Sequence, residues 1–171
     1  FPFYGNFDGN GKTITANIKA GGQPVGLFSE ITDATKNITI KNLTLNGRIE
    51  RTDATGTNDE KAVLGGLLGY TVNYVGVRID NCVNNADIVG NGAKMVGGLV
   101  GRTYAFASDR PTDGVHVTNC TNNGDIIGDG NYTAGIVGAI CAPTSLTVNI
   151  TSFPFLFTSN SIFLSRCPLY A

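Results

Sequence analysis

The chain has no tryptophan, one methionine and one histidine among 171 residues, and only 15% of its residues are charged. Its net charge is −1, with 12 basic residues scattered along the sequence. A nucleic acid or an anionic membrane surface is held by a basic patch or stripe, so neither is expected as a partner. No apolar run is long enough to cross a bilayer as a helix, and no membrane insertion is expected. The four cysteines, Cys82, Cys120, Cys141 and Cys167, form no CxxC pair. With a single histidine beside them, no zinc site and no cofactor are expected. No charged-then-apolar leader opens the chain, which therefore reads as a processed or excised piece.

What the sequence does have is 23 glycines set among many threonines, asparagines and β-branched residues. That mixture favours short strands joined by tight turns and disfavours helices, none of which is evident. One stretch invites another reading, since FDGNGKTIT at Phe7–Thr15 contains GNGKT, which resembles the lysine end of a phosphate-binding loop. In a true loop a first glycine stands where this chain has Asn6, and the lysine opens a helix. Here Ile14, Ala16 and Ile18 alternate with Thr and Asn, the period of a strand. A calcium-loop reading of the same residues fails because Lys19 stands where a bidentate glutamate is needed. Asp8-Gly-Asn-Gly is therefore read as the turn that starts a first coil. Lys12 then faces solvent, and Ile14 with Ile18 begins an inward apolar ladder.

Internal repetition organises residues 1–150. VGLFSEI at Val25 returns as GGLLGYT at Gly65, GGLVGRT at Gly97 and AGIVGAI at Ala134, which makes Gly26, Gly66, Gly98 and Gly135 equivalent. A second motif alternates with it: IKNLTLNGRI from Ile40, IDNCVNNADI from Ile79 and VTNCTNNGDI from Val117. These align without a gap, so Asn42, Asn81 and Asn119 correspond, as do Leu43, Cys82 and Cys120. Units fall near residues 25–50, 65–90, 97–128 and 134–150. Repetition with period-2 apolar positions predicts an all-β, right-handed parallel β-helix, or β-solenoid, of about three to four coils. Equivalent apolar residues would stack inward, glycines would allow the corners, and asparagines at a bend would bond to neighbouring backbone.

The order GGLVG, I/V-x-N-C, NNGDI resembles the GLUG-type repeats of bacterial surface and secreted proteins. FYGNFDGNGKTITANI followed by VGLF and IKNLTLNG resembles the lead-in of adhesin-like β-helix regions. The resemblance implies an extracellular or cell-surface location and a non-catalytic role, and it defines no catalytic residue. Contact with a glycan or a host or cell-surface protein would fall on the variable loops, Arg51–Ala62 and Arg102–Gly114. The alternative is a fragment of a polysaccharide-active β-helix enzyme, a lyase or glycoside hydrolase. Such an enzyme needs clustered carboxylates, and Asp53, Asp59, Glu60, Lys61, Asp109, Arg110 and Asp113 offer no evident pairing.

The repeat stops after Ile150. No acidic residue follows Asp129, and Phe153, Phe155, Phe157 and Phe163 crowd the end. Residues 151–171 read as a cap over the last coil or as non-native sequence. The weak metal candidates are Asp87 and Asp125, equivalent to Arg48, which would approach one another on one outer face. Cys82 and Cys120 share a stacked position within possible disulfide range, and they are read as free buried thiols because Leu43 fills the same place. His116, between Val115 and Val117, is expected to point outward.

Overall fold

In the computed structural model, residues 2–32, 37–53, 62–72, 76–104 and 114–141 are described in full, and 146–150 and 164–166 by their backbone. Most of the segment 151–171 and the centres of both variable loops, with Asp59, Glu60, Lys61, Asp109, Arg110 and Asp113, lie outside the described residues.

The chain is all-β, and no helix occurs among the described residues. The first repeat supplies β1 (Phe7–Ala20) and β2 (Phe28–Ile31), and the second supplies β3 (Ile38–Arg51), β4 (Val63–Gly65) and β5 (Leu68–Val72). In the third, β6 (Val77–Asn84) and β7 (Asp87–Gly90) precede β8 (Met95–Gly97) and β9 (Val100–Tyr104). The fourth has β10 (Val115–Asn122), β11 (Ile126–Gly128), β12 (Tyr132–Ala134) and β13 (Val137–Cys141), followed by β14 (Leu146–Ile150) and β15 (Leu164–Arg166).

All strand pairings are parallel, and they sort the strands into three sheets. β1 pairs with β3, β3 with both β6 and β7, β6 with β10, β7 with β11, and β10 with β14. A second sheet runs β4-β8-β12 and a third β2-β5-β9-β13-β15. Each repeat thus lays its strands beside those of the repeat before, sheet by sheet. The register matches the ungapped alignment, with Leu43 opposite Cys82, Ile49 opposite Ile88 and Ile88 opposite Ile126.

The core lies between the sheets. Ile40, Leu43, Leu45, Ile49, Leu64, Leu68, Ile79, Ile88, Val100 and Val117 are fully buried in one cluster. Burying one such aliphatic side chain contributes about 1.5–3 kcal/mol, and their repetition along the stack makes this the main stabilising term.

The glycines of GGLVG have a packing reason. A methyl group at Gly98 would meet the carbonyl of Gly135 and lie 2.7 Å from Asn122 Cγ. At Gly66 it would meet the carbonyl of Gly98 and lie 3.2 Å from Asn84 Cγ. Backbone of one repeat rests directly on backbone of the next, leaving no room for Cβ. Gly98→Ala is accordingly expected to destabilise by about 1–3 kcal/mol in urea denaturation, the range for overpacking.

The opening stretch differs from its expected form. β1 already begins at Phe7, and Asp8-Gly-Asn-Gly is a bulge inside it: Asp8 pairs with Lys41 and Lys12 with Leu43, so three residues of β1 face Asn42 alone. Lys12 is exposed and occupies, in register, the row of Leu43 and Cys82. Ile14 instead stacks on Leu45 and Ile18 on Ile49. Alternation shows which residues share a side, but an insertion that resets the register leaves no mark in a single strand's pattern.

Candidate functional site

Asn42, Asn81 and Asn119 have left-handed backbones, with φ of 55°, 52° and 53°. Asparagine tolerates this region better than most residues, so each places a bend in a long strand of the first sheet without a glycine. Their amides bond to other side chains rather than to neighbouring backbone. Asn81 Nδ2 donates to Asn42 Oδ1 at 2.8 Å, and Asn42 Nδ2 donates to Asp8 Oδ1 at 2.9 Å. Asn119 Nδ2 donates to Asp80 Oδ1 at 3.1 Å, an oxygen that also accepts from Thr118 Oγ1 at 2.6 Å.

A second outer ladder runs through the next asparagines. Asn123 Nδ2 donates to Asn85 Oδ1 at 2.8 Å, and Asn85 Nδ2 to Asn46 Oδ1 at 2.9 Å. A third lies inside the core, where Asn84 and Asn122 replace the leucine of the second repeat. Asn84 Nδ2 donates to Asn122 Oδ1 at 2.7 Å and to the Ala86 carbonyl, while Asn84 Oδ1 accepts from Ala86 N. Asn122 Nδ2 donates to the Gly124 carbonyl at 3.1 Å. Both amides also lie against the close-packed glycines, Asn84 against Gly66 and Asn122 against Gly98. The inner pair was not singled out in sequence. Its signal was present: Asn84 and Asn122 align with Leu45, an inward position.

The outer face of the first sheet is laced with ion pairs. Lys41 Nζ lies 3.3 Å from Asp8, and Lys19 Nζ 3.2 Å from Glu50, which also accepts from Arg48 Nε at 3.2 Å. The carboxyl of Asp8 is held below its ordinary range, first by Asn42 and then by the Asn10 amide. Glu50 is lowered by Lys19 and then Arg48. Both therefore stabilise the fold above the unfolded carboxylate range and lose that contribution as pH falls through the lowered folded values.

Arg48 is opposite Asp87 in register, yet its ion pair is with Glu50 on its own strand. The Asp125 carbonyl accepts from Ile88 N at 2.8 Å, which sets Asp125 beside the repeat of Asp87. No group of three or more His, Cys, Asp or Glu residues suited to a metal ion occurs among the described residues. His116 is half-buried on β10 opposite Arg78.

At the root of the first loop, Arg51 is fully buried. Its Nη1 donates to the Gln23 carbonyl at 2.6 Å and its Nη2 to Asp53 Oδ2 at 3.1 Å, with Nε 2.9 Å from Asp53 Oδ1. Asp53 Oδ2 also accepts from Gly22 N at 2.6 Å, which ties the corner after β1 to the strand end of β3. Asp53 is thus a structural anchor, not a candidate acid or base. At the root of the second loop, the buried Arg102 guanidinium lies 5.5 Å from the ring centre of Tyr70 and 5.0 Å from that of Tyr104. Arg102 Nε donates to Cys141 Sγ at 3.2 Å. Val63, Met95, Ala139 and Cys141 form a second apolar cluster there, with Tyr104 and Tyr132 against it. Neither arginine stood out in sequence, because its burial depends on elements from other repeats.

Cys82 and Cys120 are free and buried, and Cys141 is disulfide-bonded. Cys82 Sγ donates to the Asp80 carbonyl at 3.3 Å and Cys120 Sγ to the Thr118 carbonyl at 3.1 Å. The neighbouring Cys82 thiol, and then burial, hold the Cys120 thiol above the usual range. A thiol reagent at about pH 8 is expected to label neither residue in the folded protein and both in denaturant; fast labelling of Cys120 in the native state would contradict this arrangement.

Comparison with known protein families, characterised proteins and solved structures gave no match. Among the described residues, no helix is long and apolar enough to cross a membrane.

Proposed function

We propose that this chain is a segment of a right-handed parallel β-solenoid from a bacterial cell-surface or secreted protein of the GLUG-repeat type. It acts there as a non-catalytic scaffold whose variable loops offer contact to a glycan or a cell-surface protein. The observation that carries this reading is the shared strand order: the second, third and fourth repeats feed the three parallel sheets in the same sequence, and the first feeds the first and third and meets the second through a single bridge, Val25 to Leu64. The handedness follows from the rule that parallel crossover connections are right-handed. A quasi-one-dimensional stack suits a spacer, because each repeat contacts its neighbours and loops can vary without disturbing the core. The disulfide at Cys141 favours an oxidising, extracellular setting.

Asp8, Glu50, Asp53 and Asp80 are tied to lysine, arginine, asparagine or threonine side chains, and Asp129 accepts from the Gly92 amide. That favours a scaffold over the polysaccharide-cleaving alternative. A glycan array and a polysaccharide depolymerisation assay on the same protein discriminate the two. Binding without cleavage, reduced by substitutions in the loops 51–62 or 102–114, is the expected result. Cleavage that disappears when a loop carboxylate is replaced would establish the enzyme instead.

A further inference from the structure

The outer asparagine ladder has a direction, and it ends at β1. Asn81 donates its amide N–H to Asn42 and Asn42 donates to Asp8, while Asn119 donates to Asp80 instead. An ionised carboxylate accepts but cannot donate, so Asp8 closes the series. Its oxygens are already engaged by Asn42, by the Asn10 amide at 2.9 Å and by Lys41. The other two ladders end nearby as well. Thr15 is opposite Asn46, and the fully buried Leu45 is opposite Asn84.

The backbone of β1 is broken at the same level. Gly9, Asn10 and Gly11 stand where one asparagine stands in each of β3, β6 and β10, and both Asn10 and Gly11 are left-handed, with φ of 51° and 69°. β1 pairs only with β3 among the described strands, which makes it a 14-residue edge. A long regular edge is a template for another strand, and a bulge with outward lysines is a known way to spoil it. Lys12 and Lys19 supply those charges, both exposed on β1.

We infer that β1 is a stop strand, whose Asp8–Lys12 bulge and terminal Asp8 rung close this end of the sheet to strand addition by a second copy of the chain. The asymmetry supports this: β3, β6 and β10 each keep a single left-handed asparagine at that place and accept a neighbour on both sides, whereas β1 carries the three-residue insertion and pairs with β3 alone among the described strands.

The test is a regularised strand in the full chain, with Asn10 and Gly11 deleted, Asp8→Asn and Lys12→Leu. Sedimentation velocity across a hundredfold concentration range is read together with hydrogen exchange at the β1 amides. Fluorescence anisotropy with a labelled peptide copying Ile38–Arg51 supplies a second readout. The expected result is that the original chain leaves its outward β1 amides unprotected at every concentration and does not bind the peptide. The regularised variant gains concentration-dependent protection in β1 and binds the peptide at least tenfold more tightly. If circular dichroism shows that this variant does not fold, Asp8→Asn with Lys12→Leu alone is read in its place, with the same direction expected. Protection of β1 by self-association in the original chain overturns the inference. So does a folded variant that neither associates nor binds the peptide.

Discussion

Asn84→Asp is expected to destabilise the protein by about 3 kcal/mol or more at neutral pH, because it puts a charge where the core holds a fully satisfied amide. The asparagine donates to Asn122 Oδ1 and to the Ala86 carbonyl and accepts from Ala86 N. A carboxylate keeps only the last of these and sets like charge density against Asn122 Oδ1. Burial raises the folded value of the new carboxyl above its unfolded one, so the neutral form, which retains one O–H donor, is favoured inside. The deficit relative to the parent chain is therefore smallest below the unfolded carboxylate value of about 4 and grows as pH rises through the folded one. Urea midpoints of variant and parent, each measured at about pH 4 and 7.5, check this. An equal deficit at both pH values would mean that Asn84 is not in the dry interior. Each curve needs its own reference, since Asp8 and Glu50, held low by their partners, weaken the parent itself in acid.

Asp53→Ala is the second large effect, expected at about 3–5 kcal/mol, because it leaves the Arg51 guanidinium buried without its carboxylate. Arg51 is 1% exposed and the Asp53 side chain 25%, so the two halves of the pair are unequal. Arg51→Met exposes a carboxylate that water already reaches and replaces the guanidinium by an apolar chain of similar length. Its cost should be clearly smaller, and the double variant Arg51→Met, Asp53→Ala should recover most of the loss seen in Asp53→Ala alone. A double-mutant cycle by urea denaturation measures the coupling. Additive losses would show that the corner tie from Asp53 to Gly22, and not the ion pair, carries the effect.

How much of this was readable in advance depends on whether a feature lies along the strand or across the stack. The ungapped match of IKNLTLNGRI, IDNCVNNADI and VTNCTNNGDI predicted the register of β3, β6 and β10 correctly, since parallel in-register pairing places like residues opposite each other. The equivalence of Leu43, Cys82 and Cys120 likewise follows from alternation. The bulge was not readable, because FDGNGKTIT has no partner sequence in which an insertion would appear as a gap. Asn84 and Asn122 were passed over in favour of Asn42, Asn81 and Asn119, although their inward parity was visible. Only the glycine surfaces of Gly66 and Gly98 across the interior explain why an amide fits inside.

The amino-acid sequence alone determined that this protein is all-β, that its strands recur in repeats and which residues of each repeat are equivalent. These are local properties, set by alternation, by glycine content and by the tolerance of asparagine for a left-handed backbone. The tertiary structure decided which asparagines are buried, that Asp53 holds Arg51, that Arg102 lies between two tyrosines and that β1 carries an acceptor-only end rung. Those partners come from neighbouring repeats, as with Asn85 and Asn46, 39 residues apart, or from other sheets. A hydrogen bond or close approach between residues so distant along the chain exists only once the sheets stack and burial removes water as the competing partner.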